Sequence, residues 1–132
     1  DETDLELDAL DDVFRLVQQD GTGEDDVILL GDLNVDERKY GELGRVPGIV
    51  WAISGQTTNT RRTKAYDNIL FDRRATVEST GRSGVFDLSA EFKLSEEETL
   101  KISDHLPVWA EFTAREGGAA RVVERPTASQ SR

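Results

Sequence analysis

The spacing of apolar side chains divides the chain into segments of distinct period. From Thr3 to Gln19, Leu5, Leu7, Leu10, Val13, Phe14 and Val17 recur at roughly helical intervals, so an amphipathic helix is expected there. Thr3 or Asp4 can cap it, and Asp20-Gly21-Thr22-Gly23 ends it. The period then collapses into the unbroken run Val27-Ile28-Leu29-Leu30, which suits a strand covered on both faces. Asp36 to Gly48 is polar, a loop with a short helical turn, and Ile49 to Ile53 is a short strand. Ser54 to Lys64 is a loop rich in Thr and Arg, and Ala65 to Asp72 is a second buried strand with its polar residues at the N-terminal end. Ala75 to Ser79 is read as a neighbouring strand, Gly81 to Gly84 as a turn, and Val85 to Leu88 as a short edge strand. Ser95 followed by three glutamates opens a short helix within Leu94 to Ile102. The alternation of Val108 to Phe112 predicts a final strand, with Pro107 at its start, where a missing N–H is tolerable.

Helix, short loop, buried strand is the grammar of an α/β fold, and no internal repeat is visible. The 132 residues suit one ordinary domain or part of a larger one. From Arg115 the composition shifts to Gly, Ala, Ser, Gln and Arg, so residues 1–115 are expected to form the domain and 116–132 a disordered tail. The opening Asp1-Glu2-Thr3-Asp4 does not look like a natural translation start, and a fragment or one piece of a processed protein is expected. The formal net charge of −11, from 27 acidic and 16 basic residues, opposes nucleic-acid binding by the bulk surface. A metal-dependent site can reverse that sign locally. The chain has no cysteine, which excludes disulfides and thiolate chemistry, and no apolar run reaches the roughly 18 residues of a membrane span.

Three polar clusters stand at predicted strand ends: Asp32 with Asn34, Tyr66 with Asp67, and Asp104 with His105. Gly31 permits a sharp turn ahead of Asp32. Asp32 and Asn34, two apart on an extended chain, would leave one face like two prongs, hard-oxygen ligands for Mg²⁺ or Ca²⁺ or a grip on phosphate. The same pair also suits a plain polar turn after a strand. His105 is the single histidine of the chain, between an acid and a leucine–proline pair. Arg38, Lys39, Tyr40 and Arg45 could meet an anion, although solvated side chains are the commoner reading of such a run.

Gly31-Asp32-Leu33-Asn34, Ala65-Tyr66-Asp67-Asn68-Ile69 and Ser103-Asp104-His105-Leu106-Pro107-Val108 resemble, in this order, three signature motifs of the endonuclease/exonuclease/phosphatase superfamily. Each is short; together they are specific. The Thr-rich loop before the second motif and the first helix are closest to the DNase I branch, and the likeness spans roughly residues 4 to 113. The resemblance implies the C-terminal half of a four-layer α/β sandwich, mostly antiparallel sheet with flanking helices. It also implies a metal-dependent phosphodiester hydrolase, with DNA or another phosphodiester as substrate. By that likeness, His105, Asp67 and Asp32 are catalytic, Asp67 orienting His105. Asn34 and Tyr66 hold substrate phosphate, and Asp104, Asp32 and Asn34 hold the ion, Mg²⁺ with Mn²⁺ or Ca²⁺ as substitutes. The family's N-terminal half carries further ligands that have no counterpart here, so a partner is expected: that half, or a second copy. An extracellular or periplasmic location follows from the likeness alone.

Departures are visible. Asn68 stands where DNase I has Arg, and a DNase I-type Ca²⁺ loop would fall on Gln56, Thr58, Thr60 and Arg62, where the acid is lost and a cation gained. Abasic-site endonucleases share the Gly-Asp-Leu-Asn-Val spelling of Gly31 to Val35, and lipid or inositol phosphate phosphoesterases belong to the same superfamily. A catalytically inert half-domain is the alternative of a different class.

Overall fold

The computed structural model describes residues 2–115; the expected tail, 116–132, lies outside the described residues. The elements run α1 (Glu2–Gln18), β1 (Ile28–Asp32), β2 (Ile49–Trp51), β3 (Asp67–Asp72), β4 (Ser79–Val85), α2 (Leu88–Phe92), α3 (Glu96–Ile102) and β5 (Val108–Phe112), with single 3-10 turns at Glu37–Lys39 and Leu43–Arg45. β1 and β2 flank β3 in one antiparallel sheet, and β4 pairs with β5 in another.

The strand β3 is the central one because its alternation puts apolar side chains on both faces. Leu70 joins Leu7 of α1, Leu33, Tyr40 and Leu43 in the core, with Leu29 and Trp51 packed against them. On the opposite face Phe71 meets Phe112 of β5 edge-on, ring centroids 5.3 Å apart. The layers are therefore α1 with the 33–45 segment, the β1-β3-β2 sheet, and the β4-β5 sheet. Asn68 is 2% exposed yet polar, and it is satisfied. Its amide donates to the Ile53 carbonyl (2.7 Å) and the Tyr40 hydroxyl (2.9 Å), and its carbonyl accepts from Ile53 N–H (2.9 Å). The residue that departs from the DNase I spelling is thus a buried tie between β3, the end of β2 and the 3-10 segment.

Five expectations need correction. The strand β1 is not covered on both faces: it is an edge strand, and Ile28 and Leu30 are 40% and 66% exposed while Leu29 packs inward. Leu5, Val13 and Val17 of α1 are likewise exposed, and Leu7, Leu10 and Phe14 make the inward stripe. Of the segment expected as a strand at Ala75–Ser79, all but Ser79, the first residue of β4, is turn, held by Asp72, whose carbonyl accepts from Ala75 and Thr76 N–H and whose carboxylate accepts from Arg74 N–H. The Gly81–Gly84 stretch is strand, not turn: Gly81 at φ 76° allows the irregular register between Ser79 and Ser83, and Gly84 lies against the Trp109 indole, where a Cβ would come within 3.1 Å. After Val85 the chain enters α2 rather than an edge strand, because Asp87 caps it at Ala90 N–H.

Replacing Asn68 with Leu keeps the volume but strands the Ile53 and Tyr40 groups. The expected cost is about 2–3 kcal/mol, measured as a lower urea midpoint at unchanged m-value; an unchanged midpoint would contradict the tie.

Candidate active site

Register builds the site. β1 ends and β3 begins at the same level, so Asp32 and Asp67 are direct cross-strand partners. Gly31 precedes this pair at φ 149° with nothing within 4 Å of where a Cβ would stand, so its requirement is conformational rather than steric. After Asp32 the chain leaves the strand: Asn34 is left-handed (φ 56°), and its N–H donates to Asp32 Oδ1 at 2.9 Å. Asp32 and Asn34 therefore are not two prongs of one strand face. Asp32 is the last residue of β1, and Asn34 faces the neighbouring groove.

His105 reaches this strand end from a different segment. Its Nδ1 is 2.9 Å from Asp67 Oδ2 and 3.0 Å from Oδ1, and its Nε2 is 3.7 Å from Asp32 Oδ2. With Nδ1 bonded to Asp67, Nε2 is the free nitrogen, facing Asp32 and solvent. The His105 imidazole is held above its ordinary value, first by the hydrogen bond to Asp67, then by the charges of Asp67, Asp32 and Asp104, against an opposing effect of burial. The Asp67 side chain is 15% exposed, against 37% for both Asp32 and His105. The one is held inside, and the other two face out.

The Thr-rich loop positions both partners, which the spacing of motifs did not reveal. Thr58, fully buried, donates from Oγ1 to Asp67 Oδ2 (2.6 Å) and accepts from Tyr66 and Asp67 N–H. Its carbonyl accepts from Leu106 N–H (2.7 Å), and Asn59 bridges to His105 across the backbone. Thr60 donates from Oγ1 to the Ser103 carbonyl (2.8 Å) and from N–H to the Asp104 carbonyl (2.9 Å). The alternation of Thr58 and Thr60 was the available signal, an extended segment with one inward hydroxyl face. Arg62, from the same loop, pairs with Asp87.

Asn34 and Tyr66 share a groove of about 510 Å³ with Arg38, Lys39 and Lys64 on its walls. Arg38 is engaged by Asp36 (2.9 Å) and Arg45 by Glu42, while Tyr40 is core, so of the four expected anion contacts only Lys39 stands unpaired on the groove among the described residues. Asp32, Asp67 and His105 bring ligand atoms within 4.8 Å of one another. Asp104 stays outside that trio and lines a smaller cleft with His105, Arg61 and Lys64.

Known proteins share this arrangement of sequence. The chain is 40% identical over 117 residues, 81% of its length, to deoxyribonuclease-1-like 1 of Chlorocebus aethiops, and 38% identical over 117 residues to that of Homo sapiens. It is 37% identical over 115 residues to deoxyribonuclease gamma of Rattus norvegicus. The chain belongs to the DNase I-like branch of the endonuclease/exonuclease/phosphatase superfamily. It spans 38%, 38% and 37% of the length of those three relatives, and its mixed α/β architecture with antiparallel sheets is part of a DNase I-like fold. No family model matches the chain. Among the described residues of this DNase I-like chain, no helix is long and apolar enough to cross a membrane.

Because the folded imidazole is raised, the His105–Asp67 pair stabilises the fold fully below the unfolded value of about 6.5, and that contribution fades as pH rises through the folded value. In chelator, the His105 ring proton should titrate above about 6.5, and Asp67→Asn should move the midpoint down; an NMR titration with no movement would refute the pairing.

Proposed function

We propose that this chain carries the catalytic apparatus of a divalent-metal-dependent phosphodiester hydrolase, a DNase I-like endonuclease acting on DNA. One observation carries the reading: a histidine whose Nδ1 is held by a half-buried carboxylate and whose Nε2 faces a second, exposed carboxylate at 3.7 Å. In the proposed reaction Asp32 positions a water in line with a backbone phosphorus. His105 takes the water's proton at Nε2, and Asp67 stabilises the imidazolium so formed. The new P–O bond forms as the bond to the leaving oxygen breaks; the leaving oxygen takes a proton from solvent, and His105 gives its own back to solvent. Asn34 and Tyr66 hold phosphate oxygens, and Lys39 and Lys64 supply positive charge on a groove that Asp36 and Glu37 also line.

Asp104, Asp32 and Asn34 would hold the ion, Mg²⁺ with Mn²⁺ or Ca²⁺ in its place. The donor chemistry fits, since all three are hard oxygens, Asp32 is exposed, and Mg²⁺ sites commonly use one or two carboxylates and keep several waters; in the structure Asp32 stands beside His105 while Asn34 lies on the groove and Asp104 on the smaller cleft. The chemistry such an ion supplies when bound is charge, which polarises the phosphoryl group and offsets the leaving oxygen. The names of the relatives, all deoxyribonucleases, support DNA as the substrate proposed. The exposed Ile28 and Leu30 support a covering partner, the N-terminal half of such a domain or a second copy.

The test is cleavage of supercoiled plasmid in Mg²⁺ by the full chain, alone and with an added N-terminal half of a DNase I-like domain. Cleavage is expected in at least one arm, with His105→Ala lower by on the order of 10²–10⁴-fold and chelator abolishing it. Turnover of lipid or inositol phosphates instead, or plasmid cleavage that survives His105→Ala, would overturn the proposal.

A further inference from the structure

Among the described residues, the buried polar groups left without partners lie at the other end of β1, some six residues from Asp32 and so on the order of 20 Å along the strand direction. Asp26 precedes β1; Thr76 and Glu78 lie between β3 and β4. The antiparallel pair Ile28–Phe71 brings these two segments to the same edge. Glu78 is 9% exposed and Thr76 4%. Both carboxylate oxygens of Glu78, Asp26 Oδ1 and Thr76 Oγ1 are sealed from solvent and make no hydrogen bond within the described structure. Burial, and after it the charge of Glu78, push the Asp26 carboxyl above the usual carboxylate range against the opposing pull of the nearby Thr76 hydroxyl, so the three groups feel one another.

Glu78 is a sealed carboxylate without a donor, which is strongly disfavoured, and the partly buried Asp26 beside it adds a repelling charge. Such a pair needs a shared proton or a cation. The oxygen chemistry favours the cation. The groups come from two segments about fifty residues apart, and a Thr hydroxyl is among them. Glu24 and Asp25 bring further carboxylate oxygens within 4.8 Å of one another and of Asp26. We propose that Asp26, Thr76 and Glu78 form a second site for a hard divalent cation of the Ca²⁺ class, with Glu24 and Asp25 completing its oxygen shell from the solvent side. Ca²⁺ accepts six to eight oxygens in flexible geometry, whereas Mg²⁺ demands a near-ideal octahedron. Bound there, the cation ties the entry of β1 to the β3–β4 turn.

The test uses Ca²⁺ itself with the full chain in an Asp32→Ala/Asp104→Ala background, which removes carboxylates proposed for the catalytic ion. The outcome is therefore independent of the catalytic reading. Equilibrium dialysis is expected to find one tightly held Ca²⁺, and saturating Ca²⁺ to raise the thermal midpoint by several degrees. Glu78→Gln and Asp26→Asn, near-isosteric and uncharged, should each weaken binding at least tenfold while leaving the Ca²⁺-free midpoint unchanged or higher. Three results would overturn the site: no Ca²⁺ bound, equal affinity in both variants, or a midpoint that rises on mild acidification but ignores Ca²⁺, the mark of a shared proton.

Discussion

Two carboxylates, Asp32 and Asp67, stand directly opposite each other where β1 and β3 meet. Like charges at paired positions of a sheet repel, so this register is unfavourable by itself and is held by everything around it. The hydrophobic alternation of β3 fixes which way its side chains point, and one slip would turn Leu70 out of the core and Asp67 in. His105 relieves the repulsion by placing an imidazole between the two acids, and its raised affinity for a proton is the electrostatic trace of that position.

The Thr57–Thr60 segment converts this register into a site. Thr58 fixes Asp67 through its hydroxyl and the His105 segment through its carbonyl, and Thr60 fixes Ser103 and Asp104. Two motifs about forty residues apart are thereby tied through one buried threonine and its neighbour. In this chain the threonine hydroxyls are committed to protein partners, and Arg62 to Asp87. The loop acts as a brace made of hydrogen bonds.

Acidic groups at the two ends of β1 differ in kind. At the C-terminal end Asp32 is exposed and faces a histidine, a setting suited to chemistry. At the N-terminal end Glu78 is sealed and unpartnered, a setting that asks for a counter-charge. A chain of net charge −11 concentrates its cost in such places, and the local arrangement of oxygen atoms rather than the total charge decides what each cluster does.

Sequence alone determined the elements with strong periodicity or a clear cap: α1, the Ser95-capped α3, β5, and the apolar parts of β1 and β3. It also marked Asp32, Asp67 and His105, because polar residues interrupting apolar strand ends stand out against their surroundings. What it could not carry was the environment of each segment. Four aliphatics read the same whether one face or two are covered, so the exposure of Leu30 was decided by which layers exist around β1. A glycine-rich run reads as a turn until a neighbouring strand and Trp109 hold it extended. In the chain Thr58 and Asn68 stand out only against a DNase I spelling, and Glu78 not at all. They acquire roles through partners far away in sequence, or through lacking one, because burial and hydrogen bonding are properties of the folded neighbourhood and not of the local code.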